Sequence, residues 1–171
     1  MFKKLAVFLM CILPLAAFAQ TFKFGNINTA ELIELMPEKA AITKELEALN
    51  KQYEDDLTRL YGEYEKKVAD FVASRDSLPQ TIQERRAQEI GDLEQRIQQF
   101  RQVASQDFQK KQQEKFAPVF EKVSKAIKDV GQENQFTYIF DLSNQGSGIV
   151  YFSEHNTVDV LPLVKAKLGL K

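Results

Sequence analysis

The stretch LEALNKQYEDDLTRLYGEYEKKVADF, residues 46–71, sets its apolar side chains eleven positions apart and carries almost nothing apolar besides them. Extended back to Ile42, the pattern resolves into three ladders: Ile42, Tyr53 and Tyr64; Leu46, Leu57 and Val68; Leu49, Leu60 and Phe71. Eleven residues in three turns is about 3.67 per turn, close to the relaxed 3.6, so the seam runs nearly straight along a long helix. A seam this narrow predicts pairing with a second helix, because it is too thin to face a globular core.

The partner follows at once. SRDSLPQT, residues 74–81, holds a capping serine and a proline and no stripe, which marks a tight reversal. Beyond it Ile82, Ile90, Leu93, Ile97, Phe100, Ala104 and Phe108 share one helical face. The spacing predicts an antiparallel helical hairpin over residues 38–130 with its tip near 74–81 and a first arm about 58 Å long. Symmetric folding about the tip pairs positions whose numbers sum to about 155, which sets Gly62 near Leu93 and Gly91 near Tyr64. The two glycines then read as close-fitting contacts, as merely tolerated, or as places where the arm bends. The same register faces Ile42 and Leu46 with the polar run QKKQQEK, residues 109–115, so lysine stems or a second chain must cover them.

Both ends turn apolar. TFKFGNIN, residues 21–28, alternates as a short strand, with Phe22, Phe24 and Asn26 against Lys23, Gly25 and Ile27. Thr29 is expected to cap a helical turn carrying Leu32, Ile33 and Leu35, which the Met36-Pro37 step ends or redirects. Pro118 kinks the second helix or opens its final section, and Val119, Phe120, Val123, Ile127 and Val130 continue the stripe to a stop at Gly131. TYIFDL (137–142), IVYF (149–152) and TVDV (157–160) read as strands separated by SNQGSG and SEHN, and Pro162 suits the first turn of a closing helix with Val164 and Leu168. The fold class is α+β: the hairpin attached to a β-sheet body made of residues 20–37 and 131–171. Four short strands and one helix bury too little area to be stable alone.

Residues 1–19, MFKKLAVFLMCILPLAAFA, have the basic start, apolar run and Ala17-Phe18-Ala19 ending of a cleaved secretory signal. The apolar run, Leu5 to Phe18, falls short of the roughly twenty residues that span a bilayer. Its removal takes the only cysteine, Cys11, and two of the 23 basic residues, leaving 21 against 24 acidic and a net charge of -3. Such a chain suits an oxidising compartment without needing a disulfide, and offers no basic excess for nucleic acid.

Catalysis lacks parts. The single histidine, His155, sits in the turn-like SEHN, and Asp55 and Asp56 fall on a solvated helical face without metal-loop spacing. GSG at 146–148 has no following helix to cradle a phosphate. No enzyme, metal or cofactor is expected. What remains is surface: Tyr61 and Val72 beside the seam, Phe71 near the tip, and Leu78 and Ile82 at it. Scattered, these are ordinary exposed residues; facing a shared cavity, they form a weak and promiscuous binding surface.

Several marks at the two ends form a set: Phe24 to Asn28, the run IKDVGQENQFTYIFD at 127–141, Val150-Tyr151, and Val158 to Val160 with Val164 and Leu168. With the signal, the Met-Pro step and the charged hairpin, they resemble the Skp/OmpH family of periplasmic chaperones over the whole mature chain. The resemblance implies a homotrimer whose small sheets join into one body, including Phe24, Ile27, Ile139, Val150 and Phe152. Three hairpins would extend from it around a cavity that holds unfolded outer-membrane β-barrel proteins without ATP. Tyr61, Phe71, Val72, Leu78 and Ile82 would then be the client-facing residues. The chain departs from the strongly basic members of the family in being slightly acidic, which argues against steering of acidic clients and against lipopolysaccharide or membrane-surface binding. Arg85, Arg86, Arg96 and Arg101 could form a local basic face, but glutamates interleave them. A structural coiled-coil spacer of the cell envelope is the alternative reading.

Overall fold

The computed structural model describes residues 22–143, 153 and 155–170. The expected signal segment, the IVYF strand with Val150 and Phe152, and most of the SNQGSG turn lie outside the described residues. The elements are strand β1 (Phe24–Ile27), helix α1 (Thr29–Glu34), helix α2 (Pro37–Ser74), a 3₁₀ turn (Arg75–Ser77), helix α3 (Gln80–Glu133), strands β2 (Tyr138–Asp141) and β3 (Val158–Asp159), and helix α4 (Leu161–Leu168). They divide into two compact units: Ile33–Lys122 form one, and the described residues up to Leu32 and from Val123 onward form the other.

In the first unit all nine ladder residues of α2 are buried or half-buried, as are the seven expected on the facing side of α3. Leu60, Leu93 and Ile97 make the tightest part of the seam, flanked by Leu57, Tyr61, Tyr64 and Phe100. Tyr53 packs edge-on to Phe100 with ring centroids 6.2 Å apart, and its hydroxyl donates to Asp107 on the same helix. Lys67 pairs with Glu89, Lys115 with Glu45 and Lys122 with Glu38 across the hairpin. These partners have numbers summing to between 153 and 160, slightly above the expected register.

Three alternatives that the sequence leaves open are narrowed here. A Cβ at Gly62 or Gly91 would meet nothing within 4 Å, so neither glycine is a close-fitting contact. Each sits on an open side of its helix, where it weakens the helix by about 1 kcal/mol relative to alanine. Ile42 and Leu46 are only 9 % and 7 % exposed in the single chain, so they need no second chain to cover them. Lys115 reaches across to Glu45, which stands between them on α2. Nor does Pro118 open a separate section, because α3 continues through it to Glu133.

The second unit is a parallel sheet with helices on one side. β1 is central, parallel to β2 (Phe24 opposite Tyr138 through Ile27 opposite Asp141) and to β3 (Gly25 opposite Val158). Ile27, Leu32, Val160 and Val164 are at most 1 % exposed, and Val123, Ala126 and Val130 bring the last turns of α3 into the same unit's core. Gly25 is there for space: a Cβ on it would lie 2.9 Å from Val160 Cγ1 and 3.2 Å from both Ile139 Cγ1 and Phe136 Cδ1.

Two end signals fall elsewhere than expected. Asn28, not Thr29, caps α1, its Oδ1 accepting from Glu31 N–H at 3.3 Å. Thr29 is free to donate its N–H (3.1 Å) and hydroxyl to the Asp141 carboxylate, which ties the start of α1 to the end of β2. Helix α3 runs past Gly131 and closes in a Schellman turn, with Phe136 N–H donating to Gly131 O at 2.9 Å and Gln135 N–H to Gln132 O at 3.3 Å. The left-handed residue is therefore Gln135, at φ 57°, whereas the same turn at the end of α4 uses Gly169 at φ 70°. Lys23 Nζ donates to Asn134 O at 3.1 Å and stands 4.1 Å over the Phe136 ring, placing a cation at the C-terminus of α3.

Candidate functional site

Among the described residues no group of histidine, cysteine and carboxylate side chains is placed to hold a metal ion, and no helix is long and apolar enough to cross a membrane. His155 is exposed in a turn. Two surfaces stand out among the described residues, one on each unit.

On the hairpin, the five side chains singled out from sequence differ in their freedom. Val72 is 70 % exposed, whereas Phe71, Leu78 and Ile82 are half-buried at the distal end. Tyr61 packs against the Leu60 cluster with the Arg101 guanidinium 5.5 Å from its ring centroid, so it presents one edge and not a face. A shallow groove runs between the helices farther back, floored by Tyr53, Leu57, Ala104 and Phe108 and edged by Asn50, Arg101 and Gln109. Hydrogen bonding to Asp107, with burial second, raises the Tyr53 hydroxyl above its ordinary range and keeps it a donor.

The basic face dissolves into pairs. Near the tip, Lys67, Arg85 and Arg86 surround Glu89 in an open cleft. The Lys67 hydrogen bond, followed by its charge and those of Arg85 and Arg86, holds the Glu89 carboxyl below the usual range. Arg86 also donates to Ser74 Oγ at 2.9 Å, and Arg101 is over Tyr61. Three of the four arginines thus have partners, and a cleft holding Glu89 and Asp70 among its cations is no anion site.

On the sheet, the two faces are unlike. Gly25, Ile27 and Ile139 point toward the chain's own core, with Ile139 Cδ1 only 3.4 Å from where a Gly131 Cβ would stand. The opposite face carries a row of rings. Phe22, Phe24, Tyr138 and Phe140 stack with neighbouring centroids 6.1 to 6.4 Å apart, and Phe22 and Tyr138 are 66 % and 62 % exposed. Parallel sheets are ordinarily covered on both faces, and among the described residues no element covers this aromatic one. Of these rings the sequence reading singled out Phe24 alone. The alternations Phe22-x-Phe24 and Tyr138-x-Phe140 were the available signal, but only the parallel register sets them side by side.

The family model described as outer membrane protein (OmpH-like) matches residues 23–168. No curated protein matches. Among solved structures, the chain is similar to a candidate outer membrane chaperone (OmpH-like) from Caulobacter crescentus CB15. The two superpose with a TM-score of 0.68 at 14 % identity, covering 86 % of this chain and 84 % of the other. At that identity the likeness speaks for the fold.

Proposed function

The chain belongs to the family of outer membrane proteins (OmpH-like), and from that premise we propose that it is an ATP-independent holdase of the periplasm. It assembles as a homotrimer and keeps unfolded outer-membrane β-barrel proteins from aggregating. The carrying observation is the hairpin. Two long helices share a seam about one side chain wide, build no enclosed site, and leave apolar groups half-exposed along their flanks. Such a surface suits many weak contacts with a disordered partner, which add through multivalency, and does not suit one shaped ligand. Tyr61, Phe71, Val72, Leu78 and Ile82 are the proposed client contacts.

The open aromatic face supports the assembly. Phe24 with Tyr138 and Phe140 is the proposed subunit contact, covered when three sheets pool into one body; Ile27 and Ile139 support it from within each chain. Pooling also answers the small area that one sheet can bury. The test is the light-scattering mass of the mature chain, alone and after dilution of a urea-unfolded β-barrel protein into it. A trimer that keeps the barrel protein soluble in a discrete complex is the expected result. A trimer beside aggregated barrel protein would move the function to a structural spacer of the envelope.

A further inference from the structure

The face of α3 turned away from the seam has a composition of its own. Gln95, Gln98, Gln102, Gln106, Gln109 and Gln113 follow one another in steps of three, four, four, three and four, the same rhythm as the apolar ladders of α2. All six are exposed. The repeat of eleven holds them in register on the side of the helix away from the buried Leu93, Ile97 and Ala104, with Gln109 also at the edge of the groove between the helices. No charged residue interrupts this line, in a chain where 27 % of residues are charged, and the charges of α3 fall to either side of it. One further step pattern on, Phe120, expected on the apolar stripe with Val119 and Val123, instead continues this line, 51 % exposed, its ring centroid 6.0 Å from that of Phe116.

A solvated helix face has no need to exclude charge; glutamate and lysine are as good helix formers as glutamine and pair at i,i+4. The primary amide offers what they lack, two donors and an acceptor on one neutral group, which is the bonding capacity of a peptide unit. We propose that this glutamine stripe holds the backbone of unfolded polypeptide, its amides bonding the free N–H and C=O groups of an extended chain. This rests on the holdase reading and names what that site recognises. A second helix, from another copy or another protein, is a poor occupant. Its backbone groups are already bonded internally, and between Gln95 and Gln113 the stripe has no apolar residue to bury against it. The six amides span about 27 Å of helix, the reach of about eight residues of extended chain. Phe120 then offers a ring at the end of the track for an apolar side chain. Recognition through the backbone is indifferent to client sequence, and recognition by neutral groups is indifferent to salt.

The experiment compares the full mature chain with the variant Gln98→Ala, Gln102→Ala, Gln106→Ala and Gln109→Ala. All four sites are exposed and alanine favours the helix, so the variant folds. Two probes are used, a urea-unfolded β-barrel protein and a reduced, carboxymethylated polypeptide that cannot fold. The expected result is binding of both by the native chain at 50 and 300 mM salt alike, and a loss of at least about tenfold for both in the variant, at unchanged assembly mass. Undiminished binding by the variant overturns the proposal. So does a variant whose assembly mass falls, because the stripe would then be a contact between copies. If the native chain binds the carboxymethylated polypeptide through the glutamines but not the barrel protein, the stripe stands and the barrel-holdase reading falls. Binding of neither probe overturns both.

Discussion

Replacing Gly25 by alanine tests whether the sheet body is held by the fit of one strand against one helix start. Two opposing effects set the size. Alanine restricts the unfolded chain and favours a strand over glycine by about 0.5–1 kcal/mol, and nothing at Gly25 forbids a side chain through backbone conformation, since Gly169 is the only glycine with positive φ among the described residues. Against this, the new methyl would sit 2.9 Å from Val160 Cγ1, well inside the roughly 3.5–4.0 Å at which carbon atoms attract. Val160 is fully buried and β-branched, so its rotamer cannot turn aside. Overpacking of this kind costs about 1–3 kcal/mol, leaving a net loss of up to about 2.5 kcal/mol for Gly25→Ala. The decisive comparison is with Val160→Ala, which removes the opposing methyl and by itself costs about 2 kcal/mol. In that background Gly25→Ala should be close to neutral, because Ile139 and Phe136, at 3.2 Å, need yield only a few tenths of an ångström. Urea unfolding followed by circular dichroism, at one protein concentration so that assembly contributes equally, gives both costs. Equal costs of Gly25→Ala in the two backgrounds, with a coupling below about 0.5 kcal/mol, would refute the steric account.

Gln135→Gly relieves the left-handed residue that ends α3 and should stabilise the body by about 1 kcal/mol, read as a rise in Tm; no rise would mean that the side chain gains something the backbone loses. Asp141 should contribute to acid stability. Burial pushes its carboxyl up, but donors from Thr29 and Ser143 outweigh that and bring it below the ordinary range. A carboxylate depressed in the folded state stabilises above its unfolded value of about 3.9 and loses that contribution as pH falls through the folded one. Asp141→Asn should therefore flatten the fall in Tm below about pH 4, and an unchanged pH profile would exclude it. Leu60→Ala opens the tightest part of the seam, at 3 % exposure, and should cost about 2–3 kcal/mol, at the low end for leucine because a two-helix seam can close in; hydrogen exchange of α2 amides around it reads the loss. Exchanging Tyr61, Phe71 and Val72 together for serine should weaken client holding more than it alters the assembly mass, and equal holding would remove these three from the surface.

Much of the hairpin was legible because its code is local. The eleven-residue ladders of α2, the matching face from Ile82 to Phe108 and the reversal at 74–81 depend only on helical period and on serine and proline at a turn. Pro162 likewise opens α4 by a rule that acts over a few residues. The misplacements have equally local causes with distant deciders. Thr29 has the chemistry of a cap, but Asp141, far along the chain, takes its donors and leaves capping to Asn28. Gly131 looks like a stop, yet the turn closes four residues later, since one more helical turn lets Phe136 bond back to it. Gly62 and Gly91 carried no mark of whether they faced a neighbour or open space.

By itself the sequence determined a long paired helix with a tip and a family's apolar marks at both ends, since periodicity along one strand of chain is complete information about which side of a helix is dry. Only the tertiary structure decided that β1 lies between β2 and β3, parallel to both. It alone decided that Gly25 and Ile139 face inward while Phe22, Phe24, Tyr138 and Phe140 make an open aromatic row. A strand's alternation names two faces without saying which is buried. That choice is made by what packs across it, here Val160 and Phe136, more than a hundred residues away in the chain.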